Sequence, residues 1–415
     1  VVGRFDSDKA MAAVGSNSSL VNLIVSLFLG LSVGANVVVA RLIGQGRKDK
    51  VNEAVHTVVL LAVISGFIIL GVGEILAPVL LGMMNVPDDV LKLATLYLRI
   101  FFFAMPFIEI YDFGSAVLRS KGDSTRPLYA LITAGVINVI LNLVFVIVFK
   151  MGVAGVATAT VISNFFSACM ILYFLTHEEE MLRLDFRKLR IRWEYLFGII
   201  KIGLPAGLQS MVFSLSNVVI QAAINSFGSD GIAGSTAEQN FEFMAYFVIN
   251  AFAQTATTFT SQNFAAQDKE RCKKIYRLCT FIGLASCFGL SLIFLIGRHL
   301  FIQIFSTDEN VIHYAMIRMW SVCLLELLTG VYEISGGCLR GMGHSMTPAV
   351  ITVLGTCVFR LVWVNTIYVA HRSYIMLMIV YPVSWVITGT AVTVAYFITR
   401  RKEFAQIGKR RADII

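Results

Sequence analysis

Long apolar runs separated by short polar segments dominate the chain. Residues 58–81 contain a single charged residue, Glu74, and residues 131–149 contain none. An α-helix of about 20 apolar residues spans the roughly 30 Å hydrocarbon core of a bilayer. The pattern therefore predicts an all-α integral membrane protein with eleven spans. The predicted spans are 14–40, 55–82, 91–118, 127–149, 153–175, 198–225, 232–261, 275–304, 311–339, 348–370 and 374–399.

The polar segments occur twice, at a fixed distance of 221 positions. The aligned segments are 41–50 with 262–271, 85–90 with 306–311, and 118–127 (LRSKGDSTRP) with 339–348 (LRGMGHSMTP). A duplicated apolar chain is typical of transporters, in which two similar bundles move about a site between them. The span around 200–220 has no counterpart in this chain. We therefore expect that a first helix preceding Val1 is missing, and that the complete protein has two six-helix bundles related by a pseudo-twofold axis along the membrane normal.

Composition and charge support a membrane protein. Charged residues make up 14% of the chain, whereas a soluble domain has about 25%. Lys and Arg concentrate in every second connecting segment, as the positive-inside rule requires. The basic segments are 41–50, 119–126, 176–197, 262–277, 340–347 and 400–415. This alternation predicts a multi-pass protein of a prokaryotic cytoplasmic membrane, a tail in contact with anionic lipid, and no nucleic-acid partner. We expect a monomer.

Motifs of metal centres are absent from the sequence. It contains no HExxH or CxxC, so neither a metalloprotease nor a structural metal site is indicated. A paired nucleophile and base, which an intramembrane enzyme would need, is not evident either. A channel would require a repeated filter motif or oligomeric symmetry, and a chain duplicated once offers neither. The sequence predicts no enzyme, no cofactor and no metal beyond a coupling ion.

Several short motifs occur in a fixed order along the chain. They are 1–5 (VVGRF), 30–47 (GLSVGANVVVARLIGQGR), 116–127 (AVLRSKGDSTRP), 138–142 (NVILN), 152–163 (GVAGVATATVIS) and 202–207 (IGLPAG). Together they resemble the multidrug and toxic compound extrusion (MATE) family. The resemblance implies twelve helices in two lobes and cation-coupled export of drug-like compounds. It assigns 1–175 to helices 2–6, 176–197 to a cytoplasmic linker, 198–399 to helices 7–12 and 400–415 to a basic tail.

The sequence departs from the family at its cation sites. One branch carries an Asp shortly before the first motif, which would precede Val1 here. The same branch places an Asn, an Asp and a Thr around a cation. In this chain Asn138 matches the Asn and Thr160 matches the Thr, but Asn142 stands where the Asp would be. Another branch has a Glu and an Asp where this chain has Phe213 and Thr329. The sequence alone therefore does not decide which of the two lobes binds the cation.

Carboxylates inside spans are the strongest functional candidates, because a charge at the bilayer centre costs at least about 2.5 kcal/mol. The cation-binding candidates are Glu109, Asp112, Glu238, Glu242, Glu326 and Glu333, with the polar set Asn138, Asn142 and Thr160. Structural alternatives exist for each kind: ion pairs with Arg119, Arg340 or Arg360, contact with water at the outer surface for Glu238 and Glu242, and hydrogen bonds between helices. A lone carboxylate suits a proton and an oxygen-rich group suits Na⁺; the sequence offers both.

The substrate would contact polar and aromatic side chains of the second half. The candidates are Gln209, Asn240, Phe241, Met244 and Arg360, and packing or lipid contact is the alternative for the aromatic run. The sequence predicts a Na⁺- or H⁺-coupled antiporter that exports amphiphilic, often cationic compounds. The alternative is a lipid-linked oligosaccharide flippase, which would need many cations in its cavity.

Overall fold

The computed structural model describes residues 8–83 and 88–412, and all regular secondary structure in this part of the chain is helical, without a strand. The motif 1–5, the first half of the repeated segment 85–90 and the last residues of the basic tail lie outside it. The chain divides into two compact units, the first ending at Leu204 and the second beginning at Pro205. The boundary falls inside one long helix, at a proline that removes a backbone donor.

The first unit contains six helices and the start of a seventh. They are α1 (Asp8–Gly44), α2 (Lys48–Met83), α3 (Asp88–Phe102), α4 (Met105–Ser120), α5 (Thr125–Leu143, continued by a π-helical turn at Val144–Val148), α6 (Gly152–Thr176) and α7 (Trp193–Asn225). A short 3-10 turn, Phe186–Lys188, interrupts the linker before α7.

The second unit contains the rest of α7 and the remaining helices. They are α8 (Gly228–Ala265), α9 (Lys269–Ile296), α10 (Arg298–Gln303), α11 (Glu309–Ser321), α12 (Leu327–Gly341), α13 (Met346–Thr352), α14 (Phe359–Trp363), α15 (Tyr374–Met378) and α16 (Val380–Ala412). The basic tail therefore begins as a continuation of α16.

The membrane-spanning character of the chain is confirmed. In the described residues, nine helical segments are long and apolar enough to cross a bilayer, and α3 with α4, bent by 44° at a short break, forms a tenth. The remaining predicted span corresponds to α8. That helix has 38 residues, but its Glu, Gln, Asn and Thr residues lower its hydropathy below that of the others.

The internal repeat extends to the backbone. Helices α3 and α11 occupy equivalent places in the repeat, and both are broken before α4 and α12 begin. Gly46 and Gln267, an equivalent pair, both have positive φ, at 69° and 62°. Gly122 and Gly343 repeat this at 99° and 96°. Left-handed residues stop a helix and turn the chain, so the same loop geometry recurs in both units.

Glycines bring α12 close to α8. A Cβ at Gly337 would lie 2.6 Å from the carbonyl oxygen of Ala253 and 2.8 Å from Thr257 Oγ1. Small residues at such positions let membrane helices approach closely. Gly289, on α9, would meet nothing within 4 Å.

We expect opposite effects from the same substitution at these two glycines. Gly337→Ala should lower stability by about 1–3 kcal/mol, because α12 must move away from the backbone of α8. Gly289→Ala should raise it by about 0.5–1 kcal/mol, since alanine favours the helix and the site has room. Thermal unfolding in detergent measures both; equal melting temperatures for the two variants would contradict the packing described.

The linker is fastened to the start of α2. Asn52 Nδ2 donates to the carbonyl oxygens of Glu180 and Arg183, at 3.1 and 2.9 Å. The backbone N–H of Asp185 donates to His56 Nε2 at 3.0 Å. Each bond joins residues more than a hundred positions apart, so the predicted tether is partly docked on the first unit.

Glu178 in the linker joins a group of basic side chains. Lys121 Nζ lies 2.5 Å from its Oε1, and Arg126 is paired with its other oxygen. Partial burial raises the pKa of Glu178, but the hydrogen bond from Lys121 and those from the Glu179 backbone and Arg126 outweigh burial, so the pKa lies below its ordinary value. A lowered carboxylate pKa stabilises the fold at neutral pH, and this contribution is lost as the pH falls.

Candidate functional site

Two carboxylates of α8 meet one guanidinium of α11 in the second unit. Arg318 Nη2 donates to Glu242 Oε2 at 2.8 Å and Nε to the same oxygen at 3.0 Å. Arg318 Nε also lies 2.7 Å from Glu238 Oε2. This is an ion pair without a hydrogen bond, because the Nε hydrogen points to Glu242. Arg318 is 1% exposed. Glu238 and Glu242 share one face of α8 because they are four residues apart, so a single cation serves both.

Glu326 lies beside this group at the break between α11 and α12. It is 3% exposed, immediately precedes α12, and its Oε2 has no hydrogen-bond partner among the described residues. Thr329 Oγ1 donates to the backbone oxygen of Glu326 at 2.7 Å, which fixes the break. The charges of Glu242 and Arg360 act electrostatically on this carboxylate.

Arg360 forms the other end of the cluster. Its Nε donates to Ser384 Oγ at 3.1 Å and its Nη1 to Asn217 Oδ1 at 3.3 Å. The ring centroid of Tyr381 lies 4.4 Å from its guanidinium carbon and 5.4 Å from that of Arg318, so Tyr381 contacts both cations. The ion pair between Arg360 and Glu326 that the structural alternative required is not formed within 4 Å in the described residues.

We define the charged cluster as Glu238, Glu242, Arg318, Glu326 and Arg360. All five side chains are buried. Helices α8, α11 and α14 and the break before α12 supply them. The cluster holds three carboxylates and two guanidinium groups, so it carries one excess negative charge when every group is ionised.

The first unit holds a separate buried carboxylate. Glu109 on α4 is 1% exposed, and neither of its oxygens has a hydrogen-bond partner in the described part of the chain. Asp112, one turn later, interacts with the charge of Arg119 on the same helix. Of this pair, only Asp112 is influenced by the charge of a base, and neither carboxylate has an ion pair within 4 Å among the described residues.

The polar residues of α5 and α6 bind one another. Asn142 Nδ2 donates to Asn138 Oδ1 at 2.9 Å, and Asn138 Nδ2 donates to Ser163 Oγ at 3.3 Å and to Thr160 Oγ1 at 3.5 Å. Asn142 Oδ1 is buried without a partner among the described residues. The set is an interhelical hydrogen-bond network, and one amide oxygen remains in it for a cation.

Glu333 and Gln209 share a basic neighbour at the repeated loop. Arg340 Nη2 donates to Gln209 Oε1 at 2.9 Å, and Arg340 Nη1 lies 3.9 Å from Glu333 Oε2. Glu333 therefore lies beside Arg340 of its own helix, as its structural alternative predicted.

The polar and aromatic residues of α8 face different surroundings. Phe241 packs among Phe294, Phe301 and Phe305. Met244 is half exposed, and Asn240 donates to the backbone oxygen of Thr236 at 2.8 Å. The structure does not gather these residues around the charged cluster.

Two features of the cluster are missing from the sequence expectations. The pairing of Arg318 with Glu238 and Glu242 was not predicted. Tyr381 was not considered. The sequence signal was available in part, because two acids on one helix face inside a bilayer require a nearby cation. Phe213, which stands where another branch has a Glu, lies beside Arg360. Thr329, which stands where that branch has an Asp, lies beside Glu326.

Comparison with known proteins adds the family. The MatE family model matches residues 1–144 and 205–364, which is more than half of the chain. The probable multidrug resistance protein YoeA of Bacillus subtilis is 26% identical over 85% of this chain and 78% of its own length. The probable multidrug resistance protein NorM of Thermotoga maritima is 24% identical over 85% of this chain and 77% of its own length.

The fold is shared with solved transporters. A multidrug resistance MATE transporter in its outward-facing conformation superposes with a TM-score of 0.88 at 21% identity, covering 98% of this chain and 90% of that one. A Vibrio cholerae MATE transporter in a bent form gives 0.86 at 20% identity, covering 97% and 91%. On the family match, supported by these folds and by the described membrane helices, the chain belongs to the MatE family of multidrug efflux transporters and is a secondary active transporter, not an enzyme.

Proposed function

We propose that the chain is a proton-coupled antiporter that exports amphiphilic, often cationic compounds by alternating access across a prokaryotic cytoplasmic membrane. The observation that carries the proposal is the charge balance of the charged cluster. Its three buried carboxylates exceed its two guanidinium groups by one negative charge. An unbalanced charge away from water is costly and is neutralised when a partner is available. One further positive charge, from a proton or from a substrate, therefore completes the cluster.

Glu326 is the group that would take this charge. Arg318 already holds Glu238 and Glu242 in ion pairs, and an ion pair favours the ionised form of a carboxylate. Glu326 has no ion pair among the described residues and one unpartnered oxygen. If a proton and a cationic substrate compete for this carboxylate, each displaces the other, which is the requirement for antiport. Their different affinities in the two states would shift the population of inward- and outward-open forms.

The available oxygen atoms favour a proton over Na⁺ as the coupling ion. The oxygen-rich set Asn138, Asn142 and Thr160 is largely occupied by its own hydrogen bonds. Among the described residues, no group of three or more acidic, His or Cys side chains could hold a metal ion. A single free carboxylate oxygen is enough for a proton.

Separate ion gradients test this function. Purified protein in liposomes, loaded with the amphiphilic cation rhodamine 123, is given a proton gradient or a Na⁺ gradient. We expect the proton gradient alone to accelerate dye movement. Acceleration by Na⁺ alone would overturn the choice of ion, and dye movement that responds to neither gradient would overturn the antiporter.

The oligosaccharide flippase has less support. A pyrophosphate head group would require several free cations. In the described part of the second unit, two carboxylates neutralise Arg318. Of the two guanidinium groups in the charged cluster, only that of Arg360 has no acid within ion-pair distance among the described residues.

A further inference from the structure

His56 is a buried histidine near the start of α2, and both of its ring nitrogens have partners. The residue is 2% exposed. Its Nδ1 lies 2.7 Å from the backbone oxygen of Asn52, one turn earlier on the same helix. Its Nε2 lies 3.0 Å from the backbone nitrogen of Asp185 in the linker. The ring therefore bridges α2 and the linker.

The two partners fix the protonation state of the ring. A backbone oxygen can only accept a hydrogen bond, so Nδ1 must carry the hydrogen and donate it. A backbone N–H can only donate, so Nε2 must be the unprotonated nitrogen that accepts from Asp185. His56 is thus held in its neutral form, as the Nδ1–H tautomer. A second proton, on Nε2, would point at the N–H of Asp185 and break this hydrogen bond.

Neighbouring hydrogen bonds belong to the same contact. Thr57 Oγ1 lies 3.1 Å from the backbone oxygen of Arg190 and accepts from the backbone N–H of Arg192 at 3.2 Å. Asn52 binds the backbone of the linker at Glu180 and Arg183. We define the linker latch as Asn52, His56 and Thr57 of α2 together with residues 180–192. Asparagine and threonine do not titrate near neutral pH, so His56 is the one of these three side chains whose hydrogen bonding depends on pH.

Charged and titratable groups surround this end of α2. The helices α1, α4 and α6, the linker and α2 itself contribute Arg41, Glu53, Arg119, His177, Asp185 and Arg192. Glu53 is already paired with Arg192 at 2.8 Å. Among the described residues, no carboxylate oxygen lies within 4 Å of the His56 ring, whose two contacts are to backbone groups. A protonated ring would therefore gain no acceptor for its second N–H.

We propose that the linker latch is a pH switch, in which a proton on His56 releases residues 180–192 from α2. Histidine is the side chain that changes charge near neutral pH. A buried charged ring that lacks a hydrogen-bond partner is costly, and opening of the latch gives it access to water. In the orientation predicted from the basic segments, the latch faces the cytoplasm, so a fall in cytoplasmic pH would loosen the connection between α6 and α7. The inference does not depend on the substrate or on the coupling ion.

Hydrogen exchange of the linker tests the switch. The purified protein in detergent is labelled in D₂O at about pH 7.5 and about pH 5.5, on the two sides of the histidine titration. Exchange of peptides that cover Asp185 is corrected for the intrinsic effect of pH. We expect about tenfold less protection at the lower pH, the size of one hydrogen bond, while peptides from the middle of α2 keep their protection. Equal protection at both pH values would overturn the proposal.

The ion pairs of Glu178 do not confuse this measurement. Its hydrogen bonds with Lys121, the Glu179 backbone and Arg126 outweigh burial and hold the pKa of Glu178 below its ordinary value. The carboxylate therefore stays ionised over the pH range used. A change in linker protection between the two pH values cannot come from loss of this charge.

Substitutions identify the histidine responsible. His56→Gln cannot take up a proton in this range, but its amide oxygen can still accept from the N–H of Asp185. Its linker should be equally protected at both pH values. His177→Gln, at an exposed histidine at the end of α6, should retain the wild-type change. A pH effect that persists in His56→Gln, or one that disappears in His177→Gln, would refute the assignment. The wild-type comparison needs no variant, so misfolding of His56→Gln cannot mask the result.

Discussion

Replacing Arg318 with methionine should destabilise the protein by about 3–5 kcal/mol, the usual cost of removing one member of a buried ion pair. Glu238 and Glu242 would lose the guanidinium that lies within 3 Å of each. Methionine preserves much of the apolar volume, so the loss reports the charge and not a cavity. Thermal unfolding of the purified protein in detergent should show a large decrease in melting temperature.

Removing the two acids at the same time should restore most of this stability. In the variant Arg318→Met with Glu238→Gln and Glu242→Gln, no buried charge is left unpaired on α8 or α11, and apolar or neutral replacements of buried ion pairs are often close to neutral. Arg277→Met, at an exposed site, serves as the matched control. If Arg318→Met unfolded at the wild-type temperature, the ion-pair assignment would be wrong.

The second large effect concerns coupling. Glu326→Gln should abolish proton-driven accumulation of rhodamine 123 in liposomes while leaving dye exchange across the membrane without a gradient. Glutamine resembles the protonated acid in shape and keeps the cluster neutral, so the protein can still change state but no longer exchanges a proton for a substrate.

Glu309→Gln provides the control for this experiment. Glu309 is an exposed acid in the first turn of α11, and its substitution should leave driven accumulation unchanged. Loss of both accumulation and exchange in Glu326→Gln would indicate a structural role for Glu326. Unchanged accumulation would remove this residue from coupling altogether.

Periodic and repeated features were predictable from sequence. Apolar runs long enough for a bilayer gave the helices, and the shift of 221 positions linked loops whose backbone angles agree, as at Gly122 and Gly343. Both depend on local physics: hydropathy sets the span, and a left-handed residue ends a helix. The family resemblance, based on short ordered motifs, was confirmed by the family match.

The partners of the buried charges were not predictable in the same way. Arg318 and Glu242 lie on different helices, 76 positions apart in sequence, and their meeting depends on how α11 packs on α8. An ion pair with Arg360, on a neighbouring helix, was the structural alternative for Glu326. The structure instead orients Arg360 with Asn217 and Ser384. Helix register and rotation decide which of several nearby groups make contact, and hydropathy carries no information on either.

The exchange of a proton at Glu326 for a substrate can be measured directly. Calorimetry of rhodamine 123 binding, performed in buffers with different ionisation enthalpies, gives the number of protons released for each dye bound. We expect wild type to release one proton and Glu326→Gln to release none. Equal release by the two proteins, or no release by wild type, would contradict the account.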